Sequence, residues 1–262
     1  MKTKTILQIL VIFAVSLASF SCSLLSKKYE KRETVEYNIN AVGKTKLKLD
    51  NISGHINVYK SDSVKGLVIK AEKIGQVKKK DLDKPLDNIK VDVDTSGSVI
   101  TVTSHIEKDK SWIHFDIHGG NEINYDIQIP PWLLFSVDGV TGDISIGSIP
   151  NETDINLVNG NITFDNLIGN QSISVTNGNI KGTIDSVKHL KMDVINGKIT
   201  MNINKAYNGE IRADVVNGRI SYDSLNISDV MVDKNSLHGY IGSRNNEISI
   251  NVVNGKISLT GK

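Results

Sequence analysis

Along the C-terminal half of the chain, apolar and polar residues alternate one by one, and Asn-Gly interrupts the alternation at near-regular intervals. In DINLVNGNITF, Ile155 and Leu157 lead into Asn159-Gly160, and Ile162 and Phe164 follow. In KMDVINGKITM, Met192 and Val194 lead into Asn196-Gly197, and Ile199 and Met201 follow. Successive side chains of a strand point to opposite faces, so this period of two predicts strands with one buried face. Helical spacing is nowhere sustained. The motif recurs at Gly142, Gly160, Gly178, Gly197, Gly218, Gly239 and Gly255, in steps of 18, 18, 19, 21, 21 and 16 residues, and an early relative, SGHINV, begins at Ser53.

Asn and Gly both tolerate positive φ, so the pair makes a tight change of direction at little steric cost. Two architectures use it. A series of two-residue hairpins would set Leu157 opposite Ile162 and Val194 opposite Ile199. A stack of coils would place each Asn-Gly at a corner, over its equivalent in the next coil. The second is favoured, because only stacking asks for the same residue type in the same slot of every copy. The expected fold is therefore all-β: a single-stranded, β-helix-like β-solenoid with coils of about 18–21 residues over 141–262, preceded by wider β strands over 36–140. Its structural turn residues are Asn159-Gly160, Asn177-Gly178, Asn196-Gly197, Asn217-Gly218 and Asn254-Gly255; buried, the asparagines would form a hydrogen-bonded structural rib, the favoured reading, and exposed, a polar face for a glycan or another sheet. In the N-terminal half KLKLDNISGHINVY, NIKVDVDTSGSVITVTS, WIHFDIHG and INYDIQIP all alternate, and Pro130 and Pro131 end the last.

The first 22 residues follow another rule. Lys2 and Lys4 precede an apolar run, Ile6 to Phe20, that is short for a membrane span and ends in small residues before Cys22. This is an export signal, and a single cysteine at that place matches a bacterial lipoprotein box in which the thiol is acylated. Ser19 departs from the usual leucine, and the competing reading is a free thiol left near an ordinary cleavage site. The expectation is a lipoprotein signal over 1–22, Cys22 as the lipid site, and a polar tether over 23–35. The acyl chains would contribute about 0.8 kcal/mol per buried methylene, which makes the membrane a lasting partner. The compartment is the bacterial envelope, as an outer-membrane lipoprotein whose facing side is open.

Composition narrows the function classes. With net charge +2, 39% hydrophobic and 23% charged residues, the chain has material for a sizeable core and none of the basic bias of a nucleic-acid binder. The run Lys78–Lys80 is followed by Asp81 and Asp83 and reads as a solvated loop. In WIHFDIHGG, His114, Asp116 and His118 share one strand face and are weak metal candidates. Ligands about 6.5–7 Å apart on one strand chelate awkwardly, so a polar outer face is the preferred reading. No aspartate recurs at fixed offsets to suggest calcium, and carboxylates are too scattered to suggest a glycosidase pair. No cofactor, no metal and no catalytic residue is assigned.

INYDIQIP at Ile123, TGDISI at Thr141 and the NG copies after them together resemble a widespread bacterial β-strand-repeat family, a domain of unknown function provisionally named as adhesins, here in lipoprotein form. The resemblance covers nearly all of the chain after residue 36. It implies a β-solenoid-like fold on the cell envelope and carries no catalytic residues. The expected function is a non-enzymatic envelope lipoprotein presenting a repetitive surface to a glycan or protein ligand. The alternatives are a periplasmic structural or envelope-stress accessory, or a carbohydrate-active β-helix enzyme.

Overall fold

The computed structural model describes residues 28–61, 66–107 and 120–262. The N-terminal half contributes β1 (Lys28–Asn40), β2 (Lys46–Ser53), β3 (Ile56–Lys60), β4 (Gly66–Lys78), β5 (Ile89–Asp94), β6 (Val99–Ile106), β7 (Glu122–Ile129) and β8 (Leu134–Thr141). The C-terminal half contributes β9 (Ile144–Ile146), β10 (Thr153–Asn159), β11 (Ile162–Phe164), β12 (Asn170–Ile184), β13 (His189–Ile203), β14 (Gly209–Asp223), β15 (Ser228–Asp233), β16 (Ser236–Ile241) and β17 (Glu247–Gly261). β1 thus begins inside the segment read above as a tether.

Each glycine corner, Asn-Gly in most copies and Ser53-Gly54 or Thr141-Gly142 in two, divides a copy into two arms. In the early copies the arms are separate strands, β2/β3, β8/β9 and β10/β11; in β12, β13, β14 and β17 one long strand bends at the corner. The arms of a copy do not pair with each other, which removes the hairpin alternative. They pair in parallel with the same arms of other copies: Leu157 lies beside Val175, and Ile162 beside Ile180.

The expected single-stranded solenoid is overturned. Among the described residues the strands form one curled, mixed, 17-stranded sheet, a half-barrel in form. Among the described residues five pairings are antiparallel: β1–β4, β4–β7, β5–β6, β14–β16 and β15–β16. The parallel stack does not follow chain order either. The last copy, β17, lies between β13 and β14. The early copy β2/β3 lies between β6/β7 and β8/β9. The Gly239 copy is no corner at all, for Gly239 sits mid-strand in β16 opposite Ile211. The physical reason is that period-two alternation is the same in parallel and antiparallel strands. Copies with the same slot chemistry are also interchangeable as neighbours.

The inward slots make one core. Ile144, Ile162, Ile180, Ile199 and Ile257 stack in register along the second arm, each 1% exposed or less. Burying such a side chain contributes about 1.5–3 kcal/mol. Volume is balanced between neighbours: Phe164 pairs with Gly182, where a Cβ would overlap the phenyl ring.

Candidate functional site

The corner is built from its glycines. Gly178 and Gly197 have φ of +152° and +154°, a region that side chains disfavour. The stack adds a second demand. A Cβ on Gly178 would overlap the carbonyl oxygen of Gly160, and one on Gly197 that of Gly178. The same spine runs through Gly54, Gly142, Gly255 and Gly218, with Gly255 standing between Gly197 and Gly218. Backbones approach this closely only where no side chain intervenes.

Beside the spine, the asparagines form a continuous ladder on the outside of the corner. Asn177 Nδ2 donates to Asn159 Oδ1 at 3.0 Å, Asn196 to Asn177 at 2.8 Å, Asn254 to Asn196 at 2.9 Å, and Asn217 to Asn254 at 3.0 Å. All five side chains are exposed. An amide both donates and accepts, so identical amides in register satisfy one another down a column.

The residue two before each corner glycine points outward on the first arm. Ile52, Val140, Val158, Ile195, Val253 and Val216 form a ridge along the stack, each between 40% and 63% exposed, with Thr176 the polar gap. Single exposed aliphatics are ordinary, but a contiguous row marks an interaction surface. Sequence reasoning missed this ridge, although its signal was present: in VING, VVNG and LVNG two apolar residues stand together and break the alternation.

Beyond the ridge lies a polar column, in which Asn156 Nδ2 donates to Asp138 at 3.1 Å and Asn251 Nδ2 to Asp193 at 2.9 Å. A groove of about 470 Å³ runs between ridge and column, lined by Val140, Val158, Ile195, Asn156 and Asp193 among others, and a second of about 440 Å³ continues along the same arm. Several cations on this arm are paired. Lys48 Nζ sits 3.1 Å from Asp50 and 3.5 Å from Asp138, which hold its ammonium above its ordinary pKa, Asp50 most. Arg212 lies 2.6 Å from Glu210, whose carboxyl it and then His238 hold below the usual range against a desolvation that raises it.

Around the corner, on the second arm, the slot after each glycine changes character along the stack. Asp143, Asn161 and Asn179 form a second ladder: Asn161 donates to Asp143 Oδ1 through its backbone N–H at 2.8 Å and its Nδ2 at 3.1 Å, and Asn179 to Asn161 Oδ1 at 3.1 and 2.8 Å. The next strands carry Lys198, Lys256 and Arg219 in register in the same slot.

Cys22, His114, Asp116 and His118 lie outside the described residues. Among the described residues no group of three or more His, Cys, Asp or Glu side chains is placed to hold a metal ion.

No family model and no curated protein matches the chain. Solved structures do. A provisionally named cell adhesion protein from Clostridium sporogenes ATCC 15579 aligns with a TM-score of 0.50 at 14% identity, over 90% of this chain and 100% of that one. A provisionally named adhesin from Bacteroides fragilis NCTC 9343 aligns with a TM-score of 0.40 at 17% identity, over 88% and 97%. A provisionally named lipid binding protein from Parabacteroides distasonis ATCC 8503 reaches 0.32 at 11% identity, over 88% and 96%. The first of these likenesses shows the fold and only the fold.

Proposed function

We propose that this chain is a non-enzymatic binding protein of the bacterial cell envelope, held to the membrane through acylated Cys22, and that it takes an extended glycan along its corner. The observation that carries the reading is the exposed aliphatic ridge, Ile52 to Val216, flanked by an amide ladder on one side and a carboxylate and amide column on the other. Aliphatic side chains suit the C–H faces of sugar rings, and amides and carboxylates suit their hydroxyls. A polypeptide ligand fits less well, because the ridge lies on a sheet face and offers no free backbone edge for strand addition. The repeat of one strand spacing, about 4.8 Å, gives a linear polymer many weak and equivalent contacts.

The test is an array of neutral and acidic polysaccharides probed with the full chain in detergent, wild type against Ile195→Asp with Val253→Asp. A tenfold or larger loss in the variant, with an unchanged circular dichroism spectrum, supports the reading. Equal binding by both proteins, or no glycan binding at all, sinks it. Metabolic labelling with a palmitate analogue tests the anchor: label should enter the wild type and be absent from Cys22→Ala.

A further inference from the structure

Three copies differ from the others at a single slot. After the Asn-Gly corner, VINGK, VVNGR and VVNGK carry Lys198, Arg219 and Lys256, where the other corners carry asparagine, aspartate or histidine. In chain order the three are not consecutive, since the Gly239 copy stands between the second and third. The fold removes that separation. β17 inserts between β13 and β14, and Lys198, Lys256 and Arg219 come to lie on three adjacent strands in one register, with Lys198 beside Lys256 and Lys256 beside Arg219.

Like charges directly opposite on neighbouring strands repel. Many cations elsewhere are compensated: Lys48, Lys191, Arg212, Arg32 and Lys70 each lie within 4.0 Å of a carboxylate. None of the three corner cations has such a partner among the described residues. The next outward column over the same strands holds the hydroxyls of Thr200, Ser258 and Ser221 rather than carboxylates, with Ser221 Oγ 3.1 Å from Ser258 Oγ. All three cations are exposed. On the other side of the corner, the same three strands present ridge residues Ile195, Val253 and Val216 and ladder residues Asn196, Asn254 and Asn217. The result is three parallel rows over three strands: apolar, amide and cationic.

We propose that this cationic end of the corner binds an acidic polysaccharide, a linear glycan bearing carboxylate or sulfate groups, whose anions fall along the Lys198–Lys256–Arg219 file while its rings lie toward the ridge. The inference deepens the glycan reading above and rests on it. The file follows the stack axis, about 4.8 Å per strand, with exposed Lys181 on β12 flanking it beside Thr200, so it matches charges in sequence on a chain. A bilayer surface would call for a broad basic field, and the second arm carries Asp143 and Asp126 farther along. A bound polyanion would relieve the repulsion within the file, and its attraction would weaken as salt screens it.

Alginate oligomers, neutral dextran oligomers and phosphatidylglycerol vesicles are the probes, applied to the full chain in detergent micelles or, for the vesicles, reconstituted chain. The key variant is Lys198→Gln, Lys256→Gln, Arg219→Gln. Its control changes net charge equally at scattered exposed sites, Lys60→Gln, Lys188→Gln, Lys234→Gln. The expected result is alginate affinity that falls with added NaCl, drops at least tenfold in the file variant, and stays within twofold of wild type in the control. Equal loss in both variants would mean net charge alone acts and would overturn the proposal. So would file-dependent binding to the vesicles with none to alginate. If the file variant binds alginate as wild type does while Ile195→Asp with Val253→Asp abolishes glycan binding, this inference fails and the glycan reading stands. If the ridge variant changes nothing either, both fail.

Discussion

The slot after the corner glycine recurs along the stack, yet its two halves behave differently. In the first half, Asp143, Asn161 and Asn179 hand hydrogen bonds from one to the next. Asn179 Oδ1 still accepts the backbone N–H of Lys198 at 3.0 Å, but there the ladder stops. A lysine or arginine side chain has donors and no acceptor, so it cannot pass the pattern on. From Lys198 to Arg219 the side chains instead meet like charges one strand away, at a cost in water of about 1 kcal/mol per neighbouring pair before salt screens it. The comparison teaches that one residue type decides whether a repeated slot serves the fold or faces a partner.

The comparison can be broken outright at what both halves share. Gly178→Val and Gly197→Val each force a side chain into positive φ and into the carbonyl of the neighbouring glycine. Each should cost about 4 kcal/mol or more, seen as loss of cooperative urea unfolding, with no difference between the halves. At the next level the halves should separate. Asn161→Ala removes the centre of the ladder and should cost about 1 kcal/mol, whereas Lys256→Ala should be neutral or slightly stabilising, both read by thermal denaturation. A sharper test converts one half into the other. Lys198→Asn extends the ladder by one rung and removes a repulsion, so it should gain about 0.5 kcal/mol while weakening alginate binding. The smallest effect is expected on the ridge, where Val253→Asp should leave stability within about 0.5 kcal/mol of wild type and act on ligand binding alone.

Much of this was legible in the residues because periodicity and turn chemistry are local. Alternation around Leu157 and Val194 identified the inward side chains, and Asn-Gly identified the corners. Stacking of like slots led to the expectation of an asparagine rib. Three things were misread or unseen. Gly239 looked like a corner and is mid-strand, because His238-Gly239 carries the spacing without the asparagine. The ridge went unremarked because a second apolar residue beside Val194 or Val215 reads as core until the bend turns it outward. The cationic file went unseen because the alignment of Lys198, Lys256 and Arg219 is not a property of any one segment.

By itself the sequence determined that the fold is all-β, the alternating inward positions of the strands, and where the Asn-Gly copies bend, because these follow from side-chain alternation and the φ that glycine alone accepts. Only the tertiary structure decided the order of the copies, the antiparallel strands at both ends and the mixed, curled sheet in place of a simple coil. Every copy offers its neighbours nearly the same slots, so local chemistry cannot choose among them. That choice set β17 between β13 and β14 and gathered three scattered cations into one row.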